Sequence, residues 1–178
     1  MENSTVTYQI FDNFLSQESL KKIQDAMLDI TCLAPIAWFY NDIVDYHDPE
    51  NDYLNNFQFT HTFYIAGRPC SDKFYLLDEI MGKLNPAAIV RIKANLLTVT
   101  QERVVHKMHC DIDNLKCKTA IFYVNSNNGV TIFEDGSEVK SVANRLVLFD
   151  SDIKHTGTTC TDQKARCVIN FNYFENGK

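Results

Sequence analysis

No stretch of the 178-residue chain approaches the ~20 consecutive apolar residues of a membrane helix. The opening Met1-Glu2-Asn3-Ser4-Thr5 lacks the basic start and apolar run of an export signal. Both absences point to a protein that is neither membrane-bound nor exported, and a cytoplasmic location is expected. Clustered positive charge is missing too: 17 Lys and Arg against 23 Asp and Glu leave a net charge of −6, and the basic residues are scattered. Without a positive field to gather phosphates, nucleic acid is not expected as a partner. The six cysteines, at positions 32, 70, 110, 117, 160 and 167, include no C-x-x-C pair. They read as reduced thiols, mostly small core hydrophobes, rather than as disulfides or a zinc site. No Ser/Gly/Pro-rich linker, repeat or low-complexity segment divides the chain.

What is present is ordinary globular material, 45% apolar and 22% charged, of a length that predicts one domain over 1–178. All four prolines (35, 49, 69, 86) fall in the first half. There, after a strand over 5–11, Ser16 is placed to cap a helix carrying Leu20, Ile23, Met27 and Ile30 at helical spacing. Phe74, Leu77, Ile80, Met81 and Leu84 predict a second helix, stopped by Asn85-Pro86. From Ile89 the texture changes to strand-like runs over 89–100, 118–124, 130–133, 145–149 and 166–174, with turns at Asn127-Asn128-Gly129 and Asp135-Gly136. Short strands without intervening helices indicate an antiparallel sandwich or barrel. The expected architecture is mainly β, with a helical front and covering elements over 1–88 and a β core over 89–178. Between the two helices, 42–52 holds five acids (Asp42, Asp45, Asp48, Glu50, Asp52) and no base. It reads as a solvated loop or as a lid over a basic or polar substrate.

His109-Cys110-Asp111 sets two metal-ligating side chains two residues apart, which in a strand share a face. H-x-D alone is a weak signal. His155 follows the strand-like run 145–149, so an antiparallel barrel can bring it beside the pair. Two imidazoles and one carboxylate with open positions are the ligand set of a non-haem Fe(II) site. Arg166 opens an alternating strand in which Arg166, Val168, Asn170 and Asn172 share one face and Cys167, Ile169, Phe171 and Tyr173 the other. A guanidinium on an interior face requires an anionic partner, which a dicarboxylate would supply. His106, at odd separation from His109, is expected on the opposite face. His47 and His61 lack partners at metal spacing and read as surface or satisfied core histidines. Trp38-Phe39-Tyr40 and Phe57, Phe59 and Phe63 read as core. Asn95 would face the interior together with Asn170.

The order H-x-D, Tyr123-Val124-Asn125, Gly129-Val130-Thr131-Ile132-Phe133, Arg145 to Phe149, His155, Arg166 resembles the Fe(II)- and 2-oxoglutarate-dependent oxygenases. It is most similar to their prolyl-4-hydroxylase-like branch, small phage-encoded members included. The resemblance covers about Asn95 to Phe174, with a weaker echo in Ile10 to Ser16. It implies a double-stranded β-helix (jelly roll, cupin-like), with His109, Asp111 and His155 on iron. It further implies Arg166 and Tyr123 on the distal carboxylate of 2-oxoglutarate, with O2 as the other cosubstrate, and hydroxylation of a substrate C–H bond with release of succinate and CO2. Asn170 is a further candidate for a cosubstrate or water contact. Val168 stands where some relatives have a serine. Asn172 stands where animal prolyl hydroxylases have tryptophan, which makes it a substrate-side candidate. Val130 replaces the second glycine of the usual Gly-Gly-x-Thr turn. Peptidyl proline leads the substrate expectations, ahead of a free amino acid or another protein side chain. The location would be the host cytoplasm if the chain is phage-encoded. Competing readings are a cupin-like Zn or Mn enzyme, which would not need Arg166, and a non-catalytic jelly-roll binding or structural protein.

Overall fold

The computed structural model describes residues 6–29, 31–44, 54–112 and 115–177. Asp45, His47, Asp48, Glu50 and Asp52 of the acidic segment, and Ile30 of the first helical stripe, lie outside them. In chain order the elements are β1 (Tyr8–Phe11), α1 (Gln17–Leu28), β2 (Phe39–Asn41), β3 (Gln58–Ile65), β4 (Arg68–Pro69), a 3-10 turn (Phe74–Leu77) and α2 (Asp78–Leu84). They continue with β5 (Pro86–Thr98), β6 (Lys118–Tyr123), β7 (Val130–Phe133), β8 (Glu138–Lys140), β9 (Arg145–Asp150), β10 (His155–Gly157) and β11 (Ala165–Glu175).

The strands form two antiparallel sheets. The larger runs β1-β9-β6-β11-β5-β3-β2, with β4 on β3, and the smaller runs β10-β7-β8. Both helices lie on one face of the larger sheet. Ser16 caps α1 by accepting from the Ser19 amide, and the helix buries Leu20, Ile23, Ala26 and Met27. They pack with Leu77 and Ile80 against Ala94, Phe122, Cys167, Ile169 and Phe171 of the sheet. Helix α2 ends where Asn85 turns left-handed (φ 44) and Pro86 starts the next strand. The opposite face of the large sheet, through Ile121, Tyr123, Val147, Phe149 and Val168, packs on Phe133 and Val139 of the small one. Two stacked antiparallel sheets with helices on one outer face make the jelly-roll architecture expected from the sequence.

The first 88 residues also supply four strands to the large sheet, so the front is not helical alone. β3 escaped the sequence reading because its aromatic residues, Phe59 and Phe63, looked like undifferentiated core, whereas its period-two pattern buries His61 and Phe63 on the helix-covered side. His61 is a satisfied core histidine, with its ring nitrogens 2.7 Å from the Ala37 carbonyl and 2.8 Å from Ser71 Oγ. Phe39 and Tyr40 depart from the core expectation and stand exposed on the edge strand β2. All six cysteines are free thiols, three of them buried, and Cys70 is exposed. Among the described residues no helix is long and apolar enough to cross a membrane.

Candidate functional site

Between the sheets lies a cleft lined by His109, Asp111, His155 and Arg166 together. The segment 101–112 that carries the H-x-D pair is not a regular strand. It is tied down by two isolated bridges, Val105 to Thr158 and His109 to His155. In the second bridge the amides and carbonyls of the two histidines exchange hydrogen bonds of 2.9 and 3.0 Å. That backbone exchange, not side-chain alternation along a strand, sets the imidazoles side by side, with centroids 5.0 Å apart. The same irregularity corrects the expectation for His106. With no strand to alternate along, it is buried and lines the cleft.

The nearest ligating atoms of His109, Asp111 and His155 lie within 4.8 Å of one another, with His155 Nε2 4.0 Å from Asp111 Oδ2. His109 Nδ1 is 3.2 Å from the Lys107 carbonyl and His155 Nδ1 is 3.1 Å from the Ile153 carbonyl. A carbonyl only accepts, so each Nδ1 carries a proton, and in the neutral ring that leaves the lone pair on Nε2, toward the cleft. Burial pushes the His155 pKa down, against the opposing pull of Asp111, which keeps the ring neutral. Asp111 is buried, which alone would raise its pKa, but His155, Arg91 and Asn172 outweigh burial and hold it ionised. Two imidazoles that turn Nε2 to the cleft and an ionised carboxylate form a two-histidine, one-carboxylate site.

A second layer fixes the carboxylate. Asn172 Nδ2 donates to Asp111 Oδ2 (3.1 Å) and to Thr119 Oγ1 (3.0 Å). Arg91 donates to Asn172 Oδ1 (3.3 Å) and to the Asp111 carbonyl (3.1 Å). Asn172 is therefore fully buried behind the ligand, not on the substrate side where the sequence reading placed it. The register puts it opposite Arg91 on β5 and Thr119 on β6, beneath the carboxylate.

At the other end of β11 the Arg166 guanidinium is buried. Its Nε donates to Ser141 Oγ (2.9 Å) and its Nη2 to Thr131 Oγ1 (3.0 Å). It is paired with no carboxylate among the described residues. Burial lowers its pKa, but from a value so high that the charge remains. Gly157 flanks it: the three atoms nearest a Cβ there would all belong to this guanidinium, Nη1 at 3.0 Å, Cζ at 3.8 Å and Nη2 at 3.9 Å. The absent side chain thus leaves room for a ligand's anionic end. Tyr123, expected on that end itself, directs its hydroxyl to Thr131 Oγ1 (2.7 Å), with its ring 5.7 Å from the guanidinium. Thr131 thereby accepts from both Tyr123 and Arg166, and its own proton is left to donate. The hydroxyl that lines the cleft is Thr131, not Tyr123. Asn170 and Asn95 face the interior as the alternation predicted.

Thr131, Arg91 and Lys93 were not singled out from the sequence. The signal was present in Arg91, Lys93 and Asn95, polar at every second position of a strand whose other face is apolar. It is readable only once the strand is known to have a ligand-facing side.

No family model and no curated protein matches the sequence itself. Solved structures do match in fold. A prolyl hydroxylase of Trichoplax adhaerens, in complex with a hypoxia inducible factor oxygen degradation domain peptide fragment, aligns with a TM-score of 0.62 at 17% identity over 96% of this chain and 84% of that one. A viral collagen prolyl hydroxylase of Paramecium Bursaria Chlorella virus-1, complexed with 2-oxoglutarate, gives 0.61 at 12% identity over 95% and 96%. A 2-oxoglutarate-Fe(II) oxygenase-family oxidoreductase of Burkholderia pseudomallei gives 0.64 at 8% identity over 95% and 86%. The chain has the jelly-roll fold of these proteins.

Proposed function

We propose that this chain is a non-haem Fe(II)- and 2-oxoglutarate-dependent dioxygenase that hydroxylates a C–H bond of its substrate. The observation that carries the reading is the buried Arg166 guanidinium, without a carboxylate of its own among the described residues, in the same cleft as the two histidines and the aspartate. A Zn or Mn enzyme on this barrel has no use for that cation, and a non-catalytic jelly roll has no use for either feature. The sites fit their groups. The donor set suits Fe(II), and the space at Gly157 suits a carboxylate against the guanidinium.

Bound iron, with 2-oxoglutarate and O2, supplies the oxidising power that places a hydroxyl on carbon while succinate and CO2 leave. The chain's own part is positioning. His109 and His155 offer Nε2 because backbone carbonyls hold their Nδ1 protons. Asn172 and Arg91 aim Asp111. Arg166 and the Thr131 hydroxyl hold the cosubstrate's distal carboxylate, with Tyr123 orienting Thr131. Asn170 remains a wall contact for cosubstrate or substrate. The fold does not select a substrate. The peptide carried by the Trichoplax enzyme makes peptidyl proline one class to test, beside other protein side chains and small molecules. The six free thiols and an Fe(II) centre both suit the reducing cytoplasm, of the host if the chain is phage-borne.

The deciding experiment admits O2 to anaerobically Fe(II)-loaded protein and follows succinate. Slow uncoupled turnover of 2-oxoglutarate is expected; its absence, with no Fe(II)-dependent binding of 2-oxoglutarate, would sink the reading. The second layer makes a separate prediction. Asn172→Ala should weaken Fe(II) binding about ten- to hundredfold in chelator competition, because Asp111 loses the donor that fixes its rotamer. An unchanged affinity would show that Asn172 only fills space.

A further inference from the structure

The cleft is lined by polar groups besides the metal ligands and Arg166. β5 turns Arg91, Lys93, Asn95 and Leu97 toward the interior, opposite Asn172, Asn170, Val168 and Arg166 of β11. Arg166 is committed at one end, and Arg91 is taken by Asn172 and the Asp111 carbonyl at the other. Between them Lys93, Asn95 and Asn170 line the middle of the cleft.

Lys93 is largely withdrawn from water. Burial and the neighbouring Arg91 both depress its pKa, and among the described residues Asp111 pulls in the opposite direction. That carboxylate is already bonded to Asn172 and faced by Arg91. Asn95 Oδ1 and Asn170 Oδ1 are buried acceptors with no hydrogen-bond partner among the described residues, and Asn170 as a whole is only 8% exposed. Buried amide oxygens left unpaired are costly, so a ligand with N–H or O–H donors is the natural complement. 2-Oxoglutarate, ionised, has acceptors and no donor, and cannot satisfy them. The middle of the cleft therefore asks for a molecule with an anionic group for Lys93 and a cationic donor group for two amide oxygens.

We infer that the substrate is a free α-amino acid, its carboxylate paired with Lys93 and its ammonium donating to Asn95 and Asn170. This rests on the oxygenase reading above and names the substrate class for the same cleft. A peptidyl proline fits poorly, because its carbonyl is neutral and its nitrogen carries no hydrogen.

The test is calorimetric titration of anaerobic, Fe(II)-loaded, 2-oxoglutarate-saturated protein with the standard free L-amino acids. Each binder is compared with its α-carboxamide, its N-acetyl derivative, and a proline-containing peptide blocked at both ends. At least one amino acid should bind, with the carboxamide and the N-acetyl form each weaker by about tenfold or more. In Lys93→Met the preference for acid over amide should collapse to about one, and in Asn170→Ala the preference for the free ammonium should shrink. Lys93→Gln repeats the first comparison should the methionine variant fail to fold, and the wild-type ligand series stands without any variant. The inference is overturned if no amino acid binds or if the blocked peptide binds instead. It is equally overturned if acid and amide bind alike, or if Lys93→Met keeps the preference. Loss of 2-oxoglutarate affinity in Lys93→Met larger than any loss of amino-acid affinity would also overturn it, by assigning the lysine to the cosubstrate. Failure of 2-oxoglutarate to bind at all would mark failure of the oxygenase reading itself, whereas intact cosubstrate binding without amino-acid binding defeats this inference alone.

Discussion

Arg166→Ala should raise the concentration of 2-oxoglutarate needed for half-maximal uncoupled turnover by about thirtyfold or more. Truncating one partner of a buried, hydrogen-bonded charge pair costs about 2–5 kcal/mol, and about 1.4 kcal/mol is a factor of ten. Most of that loss should appear in affinity, because the arginine lies at the anchoring end of the cleft and the metal ligands at the reacting end. Arg166→Lys keeps the charge but not the planar fork, so its affinity should fall between wild type and alanine. The ligand-free protein should respond in the opposite sense. Arg166→Met removes a buried cation that has no carboxylate partner among the described residues, and replacing such a charge with an apolar side chain is often neutral or stabilising. Against this stand the lost bonds to Ser141 and Thr131, so the net change in melting temperature should be small. A variant that melts normally yet fails to hold 2-oxoglutarate assigns Arg166 to the ligand. A variant that unfolds and keeps cosubstrate affinity in its folded fraction assigns it to structure. Gly157→Ala probes the same site from the other side. Its methyl would stand 3.0 Å from Nη1 and 3.8 Å from Cζ, so it should press on the guanidinium and crowd the anion's seat, weakening 2-oxoglutarate about tenfold.

The contrast between Arg166 and Asn172 shows how far the sequence could be read. Both lie on β11, and alternation correctly put both on the interior face. Arg166 was legible because a cation on an interior face has few uses. Asn172 was not, because an interior amide can face a ligand or stand behind one, and only the pairing of β11 with Arg91 on β5 and Thr119 on β6 decides between them. Tyr123 illustrates the same limit: its strand and face were right, but the 2.7 Å bond to Thr131 depends on β7, which lies in the other sheet. The H-x-D pair reached the expected outcome by a different cause. Two residues apart in a strand would share a face, yet the pair sits in an irregular segment whose orientation comes from the His109–His155 bridge. The face argument that succeeded for His109 and Asp111 therefore failed for His106. The fold was legible where local pattern dominates, in the caps, in the Asn85-Pro86 stop and in the β-rich second half. It was illegible where edge strands of two to four residues, such as β2, β4 and β10, depend on partners already in place.

Asp111→Ala should abolish stoichiometric Fe(II) binding, and this is the largest single effect the structure predicts. The carboxylate is the only anionic member of the three-residue set, so its removal takes away a ligand and the charge that offsets a divalent ion. The loss should exceed the ten- to hundredfold expected of the supporting Asn172. His155→Ala should follow it closely. The antiparallel bridge to His109 is made by backbone groups and survives the substitution, so lost metal binding there cannot be ascribed to a misplaced His109. Ligand-free stability separates a metal site from a structural ion pair. With His155 neutral, the 4.0 Å approach of its ring to Asp111 is two ligands facing a shared position, and breaking it should cost far less than the 3–5 kcal/mol of a buried salt bridge. Arg91 and Asn172 would lose a partner in Asp111→Ala, whereas Asp111→Asn keeps an oxygen for Asn172 and should melt nearest to wild type. Both aspartate variants should bind iron too weakly to measure in chelator competition, and neither should form succinate. Retention of stoichiometric iron by Asp111→Ala, or a collapse of the ligand-free fold in Asp111→Asn, would show instead that the three side chains serve the fold.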